Sequence, residues 1–262
     1  MPDALVSCRI ENGIAVLELN DPPANTYSYD MMQQLDAAIL RARMDDTVHV
    51  LVVRGAGDRF FSAGADIKML AGAAPRYKYY FCLHANETLS RLEQTPKLVI
   101  AALNGHAVGG GLEIAMAADI RIARKDGGRI GLPEVTLGVL PGTGGTQRLA
   151  RLVGRAKAIE LMATGRTFSF DEAAALGLVT RVLDSTGWWD QVLACAREFC
   201  PPNRASAAVG RIKRSVVTGS EIPLSDALAL ERELQQQLFE SQDAREGLEA
   251  YLDKRAPRFK GF

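Results

Sequence analysis

The stretch LVIAALNGHAVGGGLEIAMAADIRIA, Leu98 to Ala123, decides the architecture. Leu98 to Leu103 is an uninterrupted apolar run, the pattern of a strand covered on both faces inside a parallel sheet. Asn104 to Gly111 then predicts a glycine-rich turn, Leu112 to Ala117 a short helix, and Asp119 to Ala123 a return to strand. Strand, turn, helix and strand within 26 residues is the grammar of an α/β chain.

The same reading extends upstream. Val6 to Ile10 and Ile14 to Leu19, separated by Glu11-Asn12-Gly13, predict a β-hairpin. After Pro22-Pro23, Ser28 can cap a helix whose apolar positions Met31, Met32, Leu35, Ile39 and Ala42 recur at helical spacing and which ends before Asp45-Asp46. Val48 to Val53 predicts another buried strand, Gly55 to Gly64 a loop, and Arg76 to Gln94 a helix. Downstream, Thr143 to Thr164 is patterned as a helix interrupted at Gly154, and Leu178 to Val182 is the last predicted strand. Gly187 to Phe199, Arg204 to Val217 and Leu224 to Leu252 then predict helices alone, punctuated by Pro201-Pro202 and Pro223. No repeat of fixed period is visible.

Composition narrows the functional classes. A chain of 262 residues with 47% hydrophobic content can bury a large core without disulfides or metal. Lys+Arg and Asp+Glu balance at 31 each, so no global field favours nucleic acid or an anionic membrane. Cys8, Cys82, Cys195 and Cys200 form no CxxC pair and no zinc set, and are expected as reduced thiols. Met1 to Leu5 carries no export or organelle pattern, so cytoplasm is the expected compartment. No run approaches the ~18 apolar residues of a membrane-spanning helix.

Two glycine-rich segments lie between a predicted strand and a predicted helix: Phe60 to Asp66 (FFSAGAD) and Asn104 to Gly111 (NGHAVGGG). Both expose backbone N–H groups, and two such groups facing each other can hold an oxyanion. Neither is a nucleotide loop, and Gly142 to Thr146 (GTGGT) lacks the lysine of one. Glu113 follows the glycine triplet in apolar company, where its alternative role is to serve the helix dipole, worth about 0.3–1 kcal/mol. Glu134 sits in another apolar, proline-bounded stretch, Gly131 to Gly138. Two carboxylates in low-polarity surroundings raise at least one pKa, so that one can act as acid and the other as base. A retaining glycosidase would also pair carboxylates, but Trp188 and Trp189 are far from both, which weakens that reading.

Three long segments, Phe61 to Leu70 (FSAGADIKML), Asn104 to Ala123 and Leu132 to Gly154 (LPEVTLGVLPGTGGTQRLARLVG), closely resemble the crotonase, or enoyl-CoA hydratase/isomerase, family. The resemblance runs from about Ile10 to Lys260. It implies an α/β fold in which stacked β-β-α units form a spiral core, here residues 1–200. The remainder, 201–262, corresponds to a C-terminal helical assembly region that builds homotrimers or homohexamers. It implies enoyl-CoA hydratase activity, the syn addition of water to a trans-2-enoyl-CoA, with Glu113 and Glu134 as the catalytic pair. The oxyanion hole maps onto the N–H groups of Ala65 and Gly110. The CoA part of the substrate maps onto Ala63, Ala65 and Ile67, with Lys68 and Lys260 as phosphate partners. No separate cofactor and no metal are implied, since CoA belongs to the acyl-thioester substrate.

Several features qualify the resemblance. Asp21 to Asp30 lacks the basic residue that several members carry for the CoA phosphates, and Asn25 to Tyr29 replaces a small apolar run, so Tyr27 and Tyr29 are expected to narrow the acyl or pantetheine channel. His106 is expected to be a satisfied structural histidine. The alternatives within the fold are an enoyl-CoA isomerase, which works with the Glu134 position alone, or a related acyl-CoA lyase or decarboxylase. Glu113 argues against the isomerase. A non-catalytic RNA-binding module is the remaining class, disfavoured by the neutral charge.

Overall fold

The computed structural model describes residues 4–262; Met1, Pro2 and Asp3, which carry part of the expectation about a leader, lie outside the described residues. The hairpin forms as read from the sequence, with β1 (Val6–Glu11) antiparallel to β2 (Ile14–Leu19). Helix α1 (Tyr29–Met44) follows, its Ser28 hydroxyl accepting the Met31 N–H, a cap worth about 1 kcal/mol. Strand β3 (Val50–Gly55) then leads into β4 (Phe60–Ser62), α2 (Ile67–Gly72) and α3 (Pro75–Glu93). The central stretch becomes β5 (Leu98–Leu103), β6 (His106–Val108), α4 (Gly110–Met116) and β7 (Ile120–Arg124). Beyond it come β8 (Arg129–Gly131), a 3-10 turn (Glu134–Leu137), α5 (Gly145–Val153), α6 (Arg155–Thr164), β9 (Phe168–Ser169), α7 (Phe170–Ala175) and β10 (Arg181–Leu183). Four helices close the chain: α8 (Trp188–Arg197), α9 (Ser206–Gly219), α10 (Leu224–Phe239) and α11 (Gln242–Leu252).

Two sheets organise these elements. The larger has the order β1-β2-β3-β5-β7-β10 and the smaller β4-β6-β8-β9. Consecutive strands therefore leave for different sheets: β3 goes to the large sheet and β4 to the small one, then β5 and β6, then β7 and β8, each pair followed by helix. This is the expected spiral of β-β-α turns. In the first turn the small-sheet strand shrinks to a single bridge, Tyr27 beside Ala65.

The continuous apolar runs are explained by two cores. Leu51 and Val53 of β3 and Val99, Ala101 and Leu103 of β5 face the main core with α1, α3 and α4. Their neighbours Val50, Val52, Leu98, Ile100 and Ala102 face a second core with Trp188, Val192 and Ala196 of α8. Strands covered on both sides have no solvent face to signal with polar residues.

Four expectations need correction. Gly55 to Gly64 is not all loop, because it contains β4, and the Asn104–Gly111 turn contains β6. The last strand is shifted to Arg181–Leu183, since Leu178 and Val179 instead bond the Ala173 carbonyl at the end of α7. The predicted Leu224–Leu252 helix is two helices, because the Ser241 hydroxyl caps a new start by accepting the Ala244 N–H. Gly154 separates α5 from α6 as read. Helix α9 is fastened to the large sheet by an ion pair between buried Lys213 and half-buried Asp119, Nζ to Oδ2 at 2.8 Å, and Asp119 also accepts the Val99 N–H at 2.7 Å. No described helix is long and apolar enough to cross a membrane.

Candidate active site

The site grows from the place where β4 and β6, paired in parallel, both run out into glycine. Buried Asn104 holds the preceding loop: its Oδ1 accepts the Gly55 N–H, and its Nδ2 donates to the carbonyls of Gly57 and Phe60. Asn25 reinforces it by donating to the Ala56 and Phe60 carbonyls. Thus fixed, the strand ends bring two turns together. Gly64 adopts φ +90°, and a methyl group placed on it would lie 2.8 Å from the Gly110 nitrogen. Glycine is required there both for the backbone conformation and for the close approach.

Ala65 and Gly110 are therefore neighbours across this turn. Gly110 opens α4, so its N–H has no intrahelical acceptor. Among the described residues neither amide donates to a protein acceptor. Two unsatisfied N–H groups side by side can bind an oxygen that carries developing negative charge.

Glu113 lies in the first turn of α4 and is 2% exposed. Its Oε1 accepts two backbone N–H bonds, from Thr143 and Gly145, both at 2.7 Å, leaving Oε2 outside that pair. Burial pushes its pKa up to about 7; the Gly145 N–H pulls the other way, the nearby Glu134 charge adds to the rise, and Thr143 and Arg148 oppose it. Glu134 begins the 3-10 turn, and its Oε1 reaches within 3.1 Å of where a methyl on Gly109 would stand. Its Oε2 is buried with no hydrogen-bond partner among the described residues, and burial raises its pKa too. The expected pair thus converges on the start of α4, each carboxyl offering an oxygen not otherwise engaged. The repulsion inferred from their apolar settings is present, but desolvation contributes more to the shift than the neighbouring charge.

The other expected residues separate into two groups. Ala63, Ala65, Ile67 and Lys68 share one turn, with Ile67 and Lys68 exposed. Lys260 is elsewhere, its N–H donating to Asp243 and its Nζ lying 3.5 Å from Gln242 beside α11; within the chain it is not brought to that turn. His106 is structural, as expected: its Nδ1 accepts the Arg129 N–H at 3.0 Å and its ring packs on Phe60. Tyr27 is buried rather than lining an open channel, whereas Tyr29 is partly exposed against His84. Sequence reasoning missed Thr143 and Gly145. GTGGT was read only for phosphate, yet glycines ahead of a helix supply free N–H groups to any anion, here a carboxylate of the same chain.

Comparison with known proteins shows the family. The sequence profile described as enoyl-CoA hydratase/isomerase matches residues 9–261. A probable enoyl-CoA hydratase of Bacillus subtilis is 38% identical over 98% of both chains, and the short-chain-enoyl-CoA hydratase of Clostridium acetobutylicum is 37% identical over 96% of this chain and 95% of that one. Among solved structures, an enoyl-CoA hydratase from Geobacillus kaustophilus superposes with a TM-score of 0.96 at 45% identity, over 98% of this chain and 97% of the other. Near-complete coverage at such identity, joined to the two-sheet spiral and its glycine-lined carboxylate pair, makes the chain a member of the crotonase, or enoyl-CoA hydratase/isomerase, family of enzymes.

Proposed function

We propose that the protein is an enoyl-CoA hydratase acting on trans-2-enoyl thioesters, with Glu113 and Glu134 as its catalytic carboxylates. The observation that carries the reading is the pair of disengaged carboxyl oxygens beside two unpartnered amides. The thioester carbonyl sits between the N–H groups of Ala65 and Gly110, and one water is held between Glu113 and Glu134. A carboxylate takes a proton from the water as its oxygen bonds to C3. The electrons of the C2–C3 double bond move toward the carbonyl, giving an enolate oxygen that the two amides stabilise. Delivery of a proton to C2 from the carboxyl pair completes a syn addition and yields the 3-hydroxyacyl thioester. The two carboxyls share one proton, so the roles belong to the pair.

The CoA portion is read onto the main chain of Ala63, Ala65 and Ile67, with Lys68 near the phosphates; no further cofactor is required. The names of relatives acting on short-chain and crotonyl thioesters support a four-carbon substrate as the first to try. Incubation with crotonyl-CoA is expected to bleach the conjugated thioester absorbance and to give a product heavier by one water. Full recovery of unreacted crotonyl-CoA at high enzyme concentration would remove the proposal.

A further inference from the structure

Tyr27 touches all three parts of the site without offering a group to the substrate. Its main chain pairs with the turn on either side of Ala65: the Tyr27 N–H donates to the Gly64 carbonyl at 2.9 Å, and its carbonyl accepts the Asp66 N–H at 3.1 Å. Its ring is 2% exposed, stacks on Phe81 of α3 at 5.7 Å, and lies so close to Gly110 that no β-carbon could be accommodated there. Its hydroxyl lies 3.0 Å from Thr143 Oγ1, and the Thr143 N–H is one of the two donors that hold Glu113. One residue therefore spans the Ala65 turn by its main chain and the Gly110 amide and the loop that fixes the carboxylate by its side chain.

We infer that Tyr27 is a positioning residue that sets the separation between the two oxyanion amides and the Glu113 carboxyl, with its hydroxyl acting through Thr143. The inference deepens the hydratase reading and rests on it. A phenylalanine would preserve the stacking, the contact with Gly110 and the backbone pairing, and remove only the link to Thr143. The loop 141–145 would keep Asn86, which donates to the Gly142 carbonyl, and Arg148, 3.4 Å from the Thr143 carbonyl, so the fold should survive. The Thr143 N–H would be less firmly held against Glu113. Hydrogen bonds to an ionised carboxylate favour that form, so loosening one makes Glu113 hold its proton to higher pH. The charged and titratable groups facing Glu113 besides Tyr27 are Glu134, Arg148 and Cys82, and none of them changes.

The test compares wild type, Tyr27→Phe, Thr143→Val and the double variant. With crotonyl-CoA, Tyr27→Phe is expected to lower kcat about tenfold, the worth of one hydrogen bond, with KM within about twofold. Thr143→Val should lose a similar amount, and the double variant no more than either single change, because both break the same link. Independently of turnover, the carboxyl carbon of Glu113, assigned by carbon-13 NMR through its absence in Glu113→Gln, should titrate at higher pH in Tyr27→Phe. A wild-type titration curve in Tyr27→Phe, or losses that multiply in the double variant, would refute the positioning role. If wild type turns over no enoyl thioester, the hydratase reading fails by itself, and the carboxyl titration still decides whether Tyr27 holds Glu113.

Discussion

At the scale of single residues, Glu113 is costly to bury and is held nonetheless, by two backbone N–H groups. In the unfolded chain its carboxyl titrates near 4.5, whereas in the fold it titrates at about 7. A folded pKa above the unfolded one means that the native state binds the proton more tightly; the stability this group contributes is full below 4.5 and is lost as pH rises through 7. Each tenfold in proton affinity corresponds to about 1.4 kcal/mol. Glu113→Gln, which cannot ionise, is accordingly expected to gain on wild type in urea midpoint between pH 5 and pH 8. The same substitution, and Glu134→Gln, should lower crotonyl-CoA hydration by about 10²- to 10⁴-fold, the range of general acid–base contributions, with circular dichroism unchanged. The pH–rate profile of wild type should show a limb near 7 that disappears in Glu113→Gln. On Gly64, a methyl group would stand 2.8 Å from the Gly110 nitrogen, one of the two amides read as oxyanion donors. Gly64→Ala is expected to cost about 10²- to 10³-fold in kcat, beyond the stability loss of about 1–3 kcal/mol from backbone strain, separable by comparing kcat with the thermal midpoint.

At the scale of elements, legibility followed burial pattern and length. Strands β3 and β5 were readable because both faces are covered and their runs are continuous. By contrast β4, β6, β8 and β9 are two or three residues long, too short for any periodicity to declare itself, and glycines beside them signal turns more strongly. The paired glutamates were legible because acidic residues in apolar stretches are anomalous. Thr143, Gly145 and Tyr27 were not, because they act through backbone amides, a ring contact and a hydroxyl bond that spans 116 positions. The Lys213–Asp119 pair was also invisible, since it joins α9 to the start of β7 only after folding. Removing Lys213 leaves the half-buried Asp119 without its cation, so Lys213→Ala is expected to cost about 3 kcal/mol in urea unfolding, the low end for a buried pair, whereas Lys157→Ala, whose partner Glu160 is exposed on the same helix, should cost under about 0.5 kcal/mol.

At the scale of the whole molecule, α10 and α11 leave Leu224, Phe239, Tyr251 and Leu252 exposed. Apolar side chains gathered near one end of the chain suit the homotrimer or homohexamer that the family resemblance implies. Sedimentation equilibrium is expected to return three or six times the 28.3 kDa chain mass, and paired Tyr251→Ser and Leu252→Ser changes should shift the distribution toward single chains. The large-sheet strands β2, β3, β5 and β7 begin at positions 14, 50, 98 and 120. These unequal intervals hid the repeat from any search for a fixed period. They also mean that each circuit spends its surplus length in helices outside the two sheets. Residues can be added to or taken from the largely exposed stretch 71–74 that joins α2 to α3 without displacing Phe81 or Asn86, which touch Tyr27 and the Gly142 carbonyl, so that surface and the setting of Glu113 are free to diverge under separate selection.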